Sequence, residues 1–251
     1  ALRTFKQQFT KEEWENMFPN LLEIKLDPKI WGSDNADEYI RKSYLGGWGY
    51  CDERYTGLIN GLTMVYDVNS LYPSVMRDHK NVMPIGLPYF TKNVSDLTRC
   101  SKDCYYFIRF KCRFNLKPGY LPFIQLKHDM HYRSNENLKR SKYDMWGENL
   151  GDYKPEITLS KTLFNLFCQC YEVKDLEILD LCIFNSEAGL FDSYVDHFVE
   201  MKIRNNKNKV KRSTAKLGLN AIYGRFARNP ENCFKVPVCN DEGDIIDYVY
   251  D

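Results

Sequence analysis

From Met201 to Arg228 the chain carries nine lysines and arginines and no aspartate or glutamate. The whole chain of 251 residues has a net charge of only +1, so the part outside this stretch sums to −8. A segment this basic cannot enter an apolar core without partners, and it offers a face to phosphate. Its apolar spacing is helical, and residues 191–228 read as two helices broken near Asn205–Asn208. Counting about 100° per residue from Arg204, the side chains of Lys209, Arg212, Lys216, Asn220 and Tyr223 fall between about 80° and 160°. Val210, Ala215, Leu217, Ala221, Ile222 and Phe226 fall in the opposite arc and are expected to pack. Arg204 lies off the stripe if the helix is continuous. A solvated surface helix is the plain alternative. Against it stand the absence of acids, an amide and a phenol within the cationic row, room for close approach at Gly224, and a helix-propensity cost of about 1 kcal/mol accepted at Gly218.

The rest of the chain can build a core. Apolar residues make up 43% of it, with 18 Tyr and 15 Phe, which argues against disorder. No run approaches the roughly 18 apolar residues of a membrane helix, and the charged N-terminus lacks the apolar run of an export signal. No membrane partner is expected. The nine cysteines lack zinc-knuckle spacing and read as reduced thiols. Residues 11–18 read as a helix, with Thr10 and Glu13 as a capping box and Pro19 after its end.

The second chemically loaded segment is Asp67-Val68-Asn69-Ser70-Leu71-Tyr72-Pro73-Ser74. Leu62–Tyr66 reads as a buried strand with Asp67 at its tip, followed by a short helix capped by Ser70. A carboxylate at such a turn offers a hard oxygen to Mg2+, and the backbone N–H groups that follow face where phosphate oxygens would lie. An ordinary strand–turn–helix has the same outline. Residues 79–190 form a mixed segment. Strands are expected near Tyr105–Phe114, Leu121–Leu126 and Leu176–Phe184, a helix near Thr158–Tyr171, and turns at Pro84–Gly86 and Pro118–Gly119. Val236–Tyr250 reads as two strands joined at Asn240–Gly243. The fold class is α+β.

Together the two motifs resemble those of family B DNA polymerases. Asp67-x-x-Ser70-Leu71-Tyr72-Pro73-Ser74 is similar to motif A, and Lys216-x-x-x-Asn220-x-x-Tyr223-Gly224 is similar to motif B. Tyr44-x-Gly46-Gly47, Gly189-Leu190-Phe191 and the long insertion resemble the protein-primed branch of phages and linear plasmids. The resemblance implies a partial polymerase palm with an inserted α+β subdomain and a helical fingers subdomain. Residues 1–60 would be the palm edge and linker, 61–78 the palm with motif A, and 79–190 the insertion that meets a terminal priming protein. Residues 191–228 would be the fingers and 229–251 further palm strands. Asp67 would be catalytic and, with the Val68 carbonyl, would bind metal, Mg2+ or Mn2+ in a two-metal site. The backbone of Asn69, Ser70 and Leu71 would hold phosphates. Tyr72 would lie under the deoxyribose and exclude a 2′-hydroxyl. Arg204, Arg212 and Lys216 would bind the triphosphate, with Asn220 and Tyr223 against the nascent base pair. Tyr44, Gly46, Gly47, Lys127, Arg133, Lys139, Gly224 and Arg225 would contact DNA. The partners implied are primer-template DNA, a dNTP and a priming protein, in the cytoplasm of a bacterial host.

The sequence departs from the family in several places. Arg204 and Arg212 stand where Lys is common, and Ala221 where Ser is common. The family's Tyr-x-Asp-Thr-Asp-Ser hairpin, with its second metal aspartate, is not present in these 251 residues, and neither are thumb or exonuclease sequences. The chain is therefore expected to be truncated before motif C and inactive by itself. Two other functions stay open: a non-catalytic module that binds DNA, nucleotide or priming protein, and a nucleotidyltransferase completed by a partner chain.

Overall fold

The computed structural model describes residues 1–45, 57, 61–68, 70–100, 104–121, 123–124, 154–228, 235–239 and 245–250. In chain order the first helices are α1 (Leu2–Lys6), α2 (Lys11–Met17), α3 (Pro28–Trp31), α4 (Ala36–Arg41) and α5 (Leu71–Arg77). Then come β1 (Met83–Thr91), α6 (Asp96–Arg99), β2 (Cys104–Leu116), β3 (Glu156–Ser160), α7 (Lys161–Cys170) and β4 (Tyr171–Glu187). The chain continues through α8 (Asp192–Arg204), α9 (Lys209–Ala227), β5 (Lys235–Cys239) and β6 (Ile245–Tyr250). These elements form two compact units, one of residues 9–67 and 78–190, the other of residues 1–8, 68–77 and 191–251.

The first unit is built on a four-stranded antiparallel sheet in the order β1-β4-β2-β3. In β2, Tyr106–Phe110 is buried throughout, because that stretch lies between β4 and β3 with apolar groups on both faces. Helix α7 packs Phe167 and Cys170 onto one face, against Phe110, Phe114 and Tyr171. Tyr39 packs with Phe107, Cys182 and Phe184 in a second cluster. The β2–β4 pairing slips between Arg109/Phe110 and between Lys111/Arg113. At the second slip Asp175 takes a left-handed φ of 52° and pairs with Arg113, as extra residues in one strand require.

A buried ionic cluster ties the helices before the sheet to its centre. Arg109 Nε donates to both Asp180 oxygens, at 3.1 and 3.0 Å. Its other nitrogens donate to Glu156 and to the Ile30 carbonyl, each at 2.9 Å. Tyr39 Oη donates to Asp180 at 2.7 Å. Burial opposes the Arg109 charge, but hydrogen bonds to Asp180 and the carboxylate charge outweigh it and raise the guanidinium pKa. Burial, reinforced by Asp180, likewise raises the Tyr39 phenol. Gly32 ends α3 with a left-handed φ of 70° beside the Arg109 guanidinium, where a Cβ would overlap it.

In the second unit α8 and α9 pair along their lengths, and α5 packs on both. Phe5 of α1 is fully buried, stacked on Phe191 and edge-on to Tyr194 and Phe226. Strands β5 and β6 pair antiparallel.

Several expectations hold in detail. Thr10 and Glu13 form the capping box of α2, and the basic segment is two helices interrupted at 205–208. Pro118–Gly119 is a turn, and β5 and β6 form the expected strand pair. Others change. Leu62–Tyr66 is not a buried strand: Leu62 is 90% and Val65 91% exposed. An apolar strand is stable only with a ladder partner, and none of the described strands pairs with it. Pro84–Gly86 is not a turn but lies in edge strand β1, where the pairing slips between Ile85 and Tyr89. The helix expected from Thr158 begins at Lys161, since Glu156–Ser160 pairs with β2 and the Ser160 hydroxyl accepts from Leu163 N. Residues 121, 123 and 124 are irregular rather than a strand. Two short helices, α3 and α4, lie between α2 and the motif A segment, where no helix is read from the sequence. Cys100 and Cys104, expected to be free thiols, are joined as a disulfide, with Cα atoms 5.6 Å apart.

Candidate nucleotide-binding site

The second unit brings part of motif A and all of motif B together. Helix α5 begins at Leu71, after Ser70 in a left-handed conformation with φ 53°. For a residue with a side chain that conformation costs on the order of 1–2 kcal/mol. The Ser70 carbonyl accepts from Ser74 N at 3.0 Å, and the Ser74 hydroxyl donates to Leu71 O at 2.7 Å. The first turn of α5 therefore follows directly from a sharp bend. Pro73 is buried, while Leu71 and Tyr72 stay about half exposed. Tyr72 reaches α9, where its ring stacks on Tyr223 with centroids 4.5 Å apart and planes 13° from parallel. Arg77, at the other end of α5, pairs with Asp196 of α8 at 2.9 Å.

Two local devices hold the α8–α9 hairpin. At its turn, the Asn205 amide donates to Met201 O at 2.8 Å, and Asn208 N donates to Asn205 O at 3.0 Å. The Asn208 side chain then caps α9 by accepting from Lys211 N at 3.1 Å. Along the shared face, Tyr194 Oη donates to the Gly218 carbonyl at 2.6 Å, and the Phe198 ring lies where a Cβ on residue 218 would sit. Glycine at 218 accepts its helix penalty because it lets the two helices touch. The buried face of α9 is Ala215, Leu219 and Ile222. That face is narrower than the expected packing arc, and Val210 and Leu217 are 76% and 70% exposed. Helix α8 covers one side of α9 and α5 only a short part of the rest, so apolar residues on its flank stay open.

A cleft of about 740 Å³ opens in this unit, lined by Ser70, Val199, Lys202, Ile203, Asn206, Lys207, Arg212 and Leu219. Three cations and the bend of motif A thus face one space. Of the three cations expected at the triphosphate, Arg212 is in this lining. Arg204 is not in the lining; it is exposed and pairs with Glu200, one turn back, at 2.8 Å. Lys202 and Lys207 line the cleft and were absent from the expected set. Val199, Lys202, Ile203 and Asn206 follow i, i+3, i+4, i+7 spacing and share one face of the hairpin arm. The stripe counted forward from Arg204 leaves out Lys202, two residues earlier, which falls at about 160° on the same wheel. Lys216 and Asn220 are exposed on α9 outside the lining, as are Gly224 and Arg225. A Cβ at Gly224 would meet open space.

Asp67 and Val68 are exposed. Tyr44 is 43% exposed, and its N–H donates to Arg41 O at 3.0 Å. Asn69, Gly46, Gly47, Lys127, Arg133 and Lys139 lie outside the described residues, as does the turn at 240–243. Among the described residues no group of three or more His, Cys, Asp or Glu side chains gathers to hold a metal. No described helix is long and apolar enough to cross a membrane.

A family model described as DNA polymerase type B, organellar and viral, matches residues 1–248. The chain belongs to this family. The DNA polymerase of Bacillus phage phi29 is 32% identical over 246 residues, covering 97% of this chain and 38% of the relative. That of Bacillus phage Nf is 31% identical, covering 98% of this chain and 38% of the relative. A probable DNA polymerase of Neurospora intermedia is 26% identical, covering 98% of this chain and 22% of its own length. The structure of phi29 DNA polymerase complexed with primer-template DNA superposes with a TM-score of 0.73 at 27% identity, covering all of this chain and 38% of that one. The ternary complex, with incoming nucleotide substrates, gives a TM-score of 0.73 at 27% identity, covering 99% of this chain and 40% of that one. The chain thus spans about two fifths of the length of its phage relatives.

Proposed function

We propose that this chain supplies the dNTP-binding part of a template-directed DNA polymerase. The observation that carries the reading is the cleft in which Ser70 of motif A faces Lys202, Lys207 and Arg212 of the α8–α9 hairpin. Phosphoryl transfer needs little covalent chemistry from the protein, and its rate comes from positioning and from cations on the triphosphate. On this reading the backbone of Asn69, Ser70 and Leu71 orients the phosphates, and Lys202 and Arg212 neutralise them, with Lys216 and Arg204 adding charge nearby. Tyr72 lies under the sugar and selects against a 2′-hydroxyl. Asn220 and Tyr223 face the base pair, and Gly224 and Arg225 face DNA. Residues 61–78 and 229–251 act as palm, 191–228 as fingers and 79–190 as an insertion for upstream DNA or a priming protein. Tyr44, Gly46, Gly47, Lys127, Arg133 and Lys139 serve as DNA contacts. Work in the cytoplasm of a bacterial host fits the phage relatives.

The donor set of this chain fits one Mg2+ or Mn2+ shared with substrate. Asp67 and Val68 are exposed residues that carry a carboxylate and a backbone carbonyl as hard-oxygen donors, and Mg2+ is commonly held by one or two carboxylates plus phosphate and water. When bound, the ion would offset charge on the phosphate oxygens.

Equilibrium titration of the chain with dATP in Mg2+ tests the reading. Saturable binding should weaken at least about tenfold in a Lys202→Ala/Arg212→Ala double variant, since each charge-assisted contact contributes roughly 1.5–3 kcal/mol. Equal affinity in wild type and variant would remove the nucleotide from this cleft. A second reading rests on the sequence: the Tyr-x-Asp-Thr-Asp-Ser hairpin with its second metal aspartate is not among these 251 residues, and on this reading the chain binds DNA or nucleotide without making bonds. Single-nucleotide extension on a primed template separates the two, since robust extension by this chain rules out the binding-only function.

A further inference from the structure

Helix α5 carries the proposed sugar-selecting ring, and it is short. Its seven residues rise only about 9 Å from Leu71 to Arg77, too few turns for a helix to hold its direction alone. That direction is set by what its side chains meet. At its start, Tyr72 stacks on Tyr223 of α9. At its end, the Arg77 guanidinium pairs with Asp196 of α8 at 2.9 Å. The chain bends on both sides of the helix: Ser70 before it has a left-handed φ of 53°, and Asp78 after it starts a turn in which Asn81 N donates to Asp78 O at 2.8 Å. Two side-chain anchors, one on each arm of the hairpin, thus fix how α5 lies across it. Neither Arg77 nor Asp196 lines the cleft that Ser70 and Arg212 share.

We infer that Arg77 is a positioning residue for sugar selection: its pair with Asp196 holds α5 so that the Tyr72 ring stays where a ribose 2′-hydroxyl would meet it. The inference rests on the steric role proposed above for Tyr72. Stacked rings resist separation, but offset arrangements are favoured too, so one ring slides over the other at little cost. The Tyr223 stack by itself leaves Tyr72 free to shift in its own plane. A second tie, about 7–8 Å further along α5, removes that freedom. With the tie cut, the ring gives way before a 2′-hydroxyl and ATP gains affinity. dATP has no hydroxyl there and changes little. The two nucleotides carry the same triphosphate, so salt acts alike on their phosphate contacts, and the ratio of their affinities reports the pair itself.

Calorimetric titration of this chain with dATP and ATP in Mg2+ tests the assignment. Arg77→Ala and Asp196→Ala should each lower the preference for dATP by about two- to fivefold, the range open to an exposed ion pair, and should do so through tighter ATP binding. The exchanged pair Arg77→Asp/Asp196→Arg should recover the preference. High salt should lower the preference of wild type but not that of Arg77→Ala. Single variants that keep the wild-type ratio overturn the assignment, as do variants that weaken both nucleotides alike, which a merely structural contact would do. An exchanged pair no more selective than the single variants overturns it as well. Wild type without a preference for dATP removes the role given to Tyr72, and this inference with it. Circular dichroism of each variant confirms the fold.

Discussion

Tyr72 and Tyr223 lie face to face, 4.5 Å between ring centroids and 13° from parallel, and so join α5 to α9. An aromatic pair of this kind contributes about 0.5–1.5 kcal/mol beyond the area it buries. Each ring belongs to a different motif, and the phenyl body of Tyr72 is the bulk proposed to meet a ribose 2′-hydroxyl. In competition titrations, Tyr72→Val should bring the affinity for ATP close to that for dATP. If the variant still excludes ATP, the steric role belongs to another side chain.

The contact between Gly218 and Phe198 makes a second test. On propensity alone, Gly218→Ala should stabilise α9 by up to about 1 kcal/mol. The Phe198 ring occupies the space of the new methyl group, so the net result should be destabilising, by about 1–3 kcal/mol. Urea denaturation of Gly218→Ala, Phe198→Leu and the double variant should show the pair to be non-additive, with the smaller ring-less side chain relieving the clash. Additive losses would mean the two residues act separately.

The two arginine–aspartate pairs of the sheet should behave differently. Asp180→Asn leaves the buried Arg109 charge without its main partner and should cost about 3–5 kcal/mol. The Arg113–Asp175 pair is exposed. Its hydrogen bond and charge lower the Asp175 pKa, but in open solvent the link adds little, so Asp175→Asn should leave the denaturation midpoint almost where it was. The comparison requires only the two midpoints and an unchanged denaturant slope.

Alkaline pH should loosen the α8–α9 hairpin. Burial pushes the Tyr194 phenol up to about 12, and its proton is donated to the Gly218 carbonyl. A folded-state pKa above the unfolded value of about 10 stabilises the fold fully below pH 10, and this stabilisation fades as pH rises towards about 12. Melting temperatures of wild type should fall across that window more steeply than those of Tyr194→Phe. Parallel curves would show that this phenol titrates alike in both states.

Local chemistry made much of the fold legible. Thr10 with Glu13 and the polar break at 205–208 each satisfy backbone groups within a few residues, so short-range reading finds them. What escaped depends on distant partners. Thr158–Ser160 looks like the start of a helix until β2 supplies its ladder, and Leu62–Tyr66 looks like a core strand until no described ladder is found for it. At the cleft, Arg212 was found because its helix keeps one phase from Asn208 onward. Lys202 was missed because it precedes Arg204, where the counted stripe starts, and Lys207 because a turn has no phase at all. For α3 and α4 the signals were present in Asp27-Pro28, Gly32 and Asn35, but both helices are too short to show periodicity.

The open Leu62–Tyr66 stretch has a practical consequence. Five residues with three large apolar side chains more than four fifths exposed, among them a β-branched valine, form the kind of segment that recruits a second copy into a cross-chain ladder. Solutions of the chain should therefore grow turbid with concentration, and a lysine at position 65 should keep them clear.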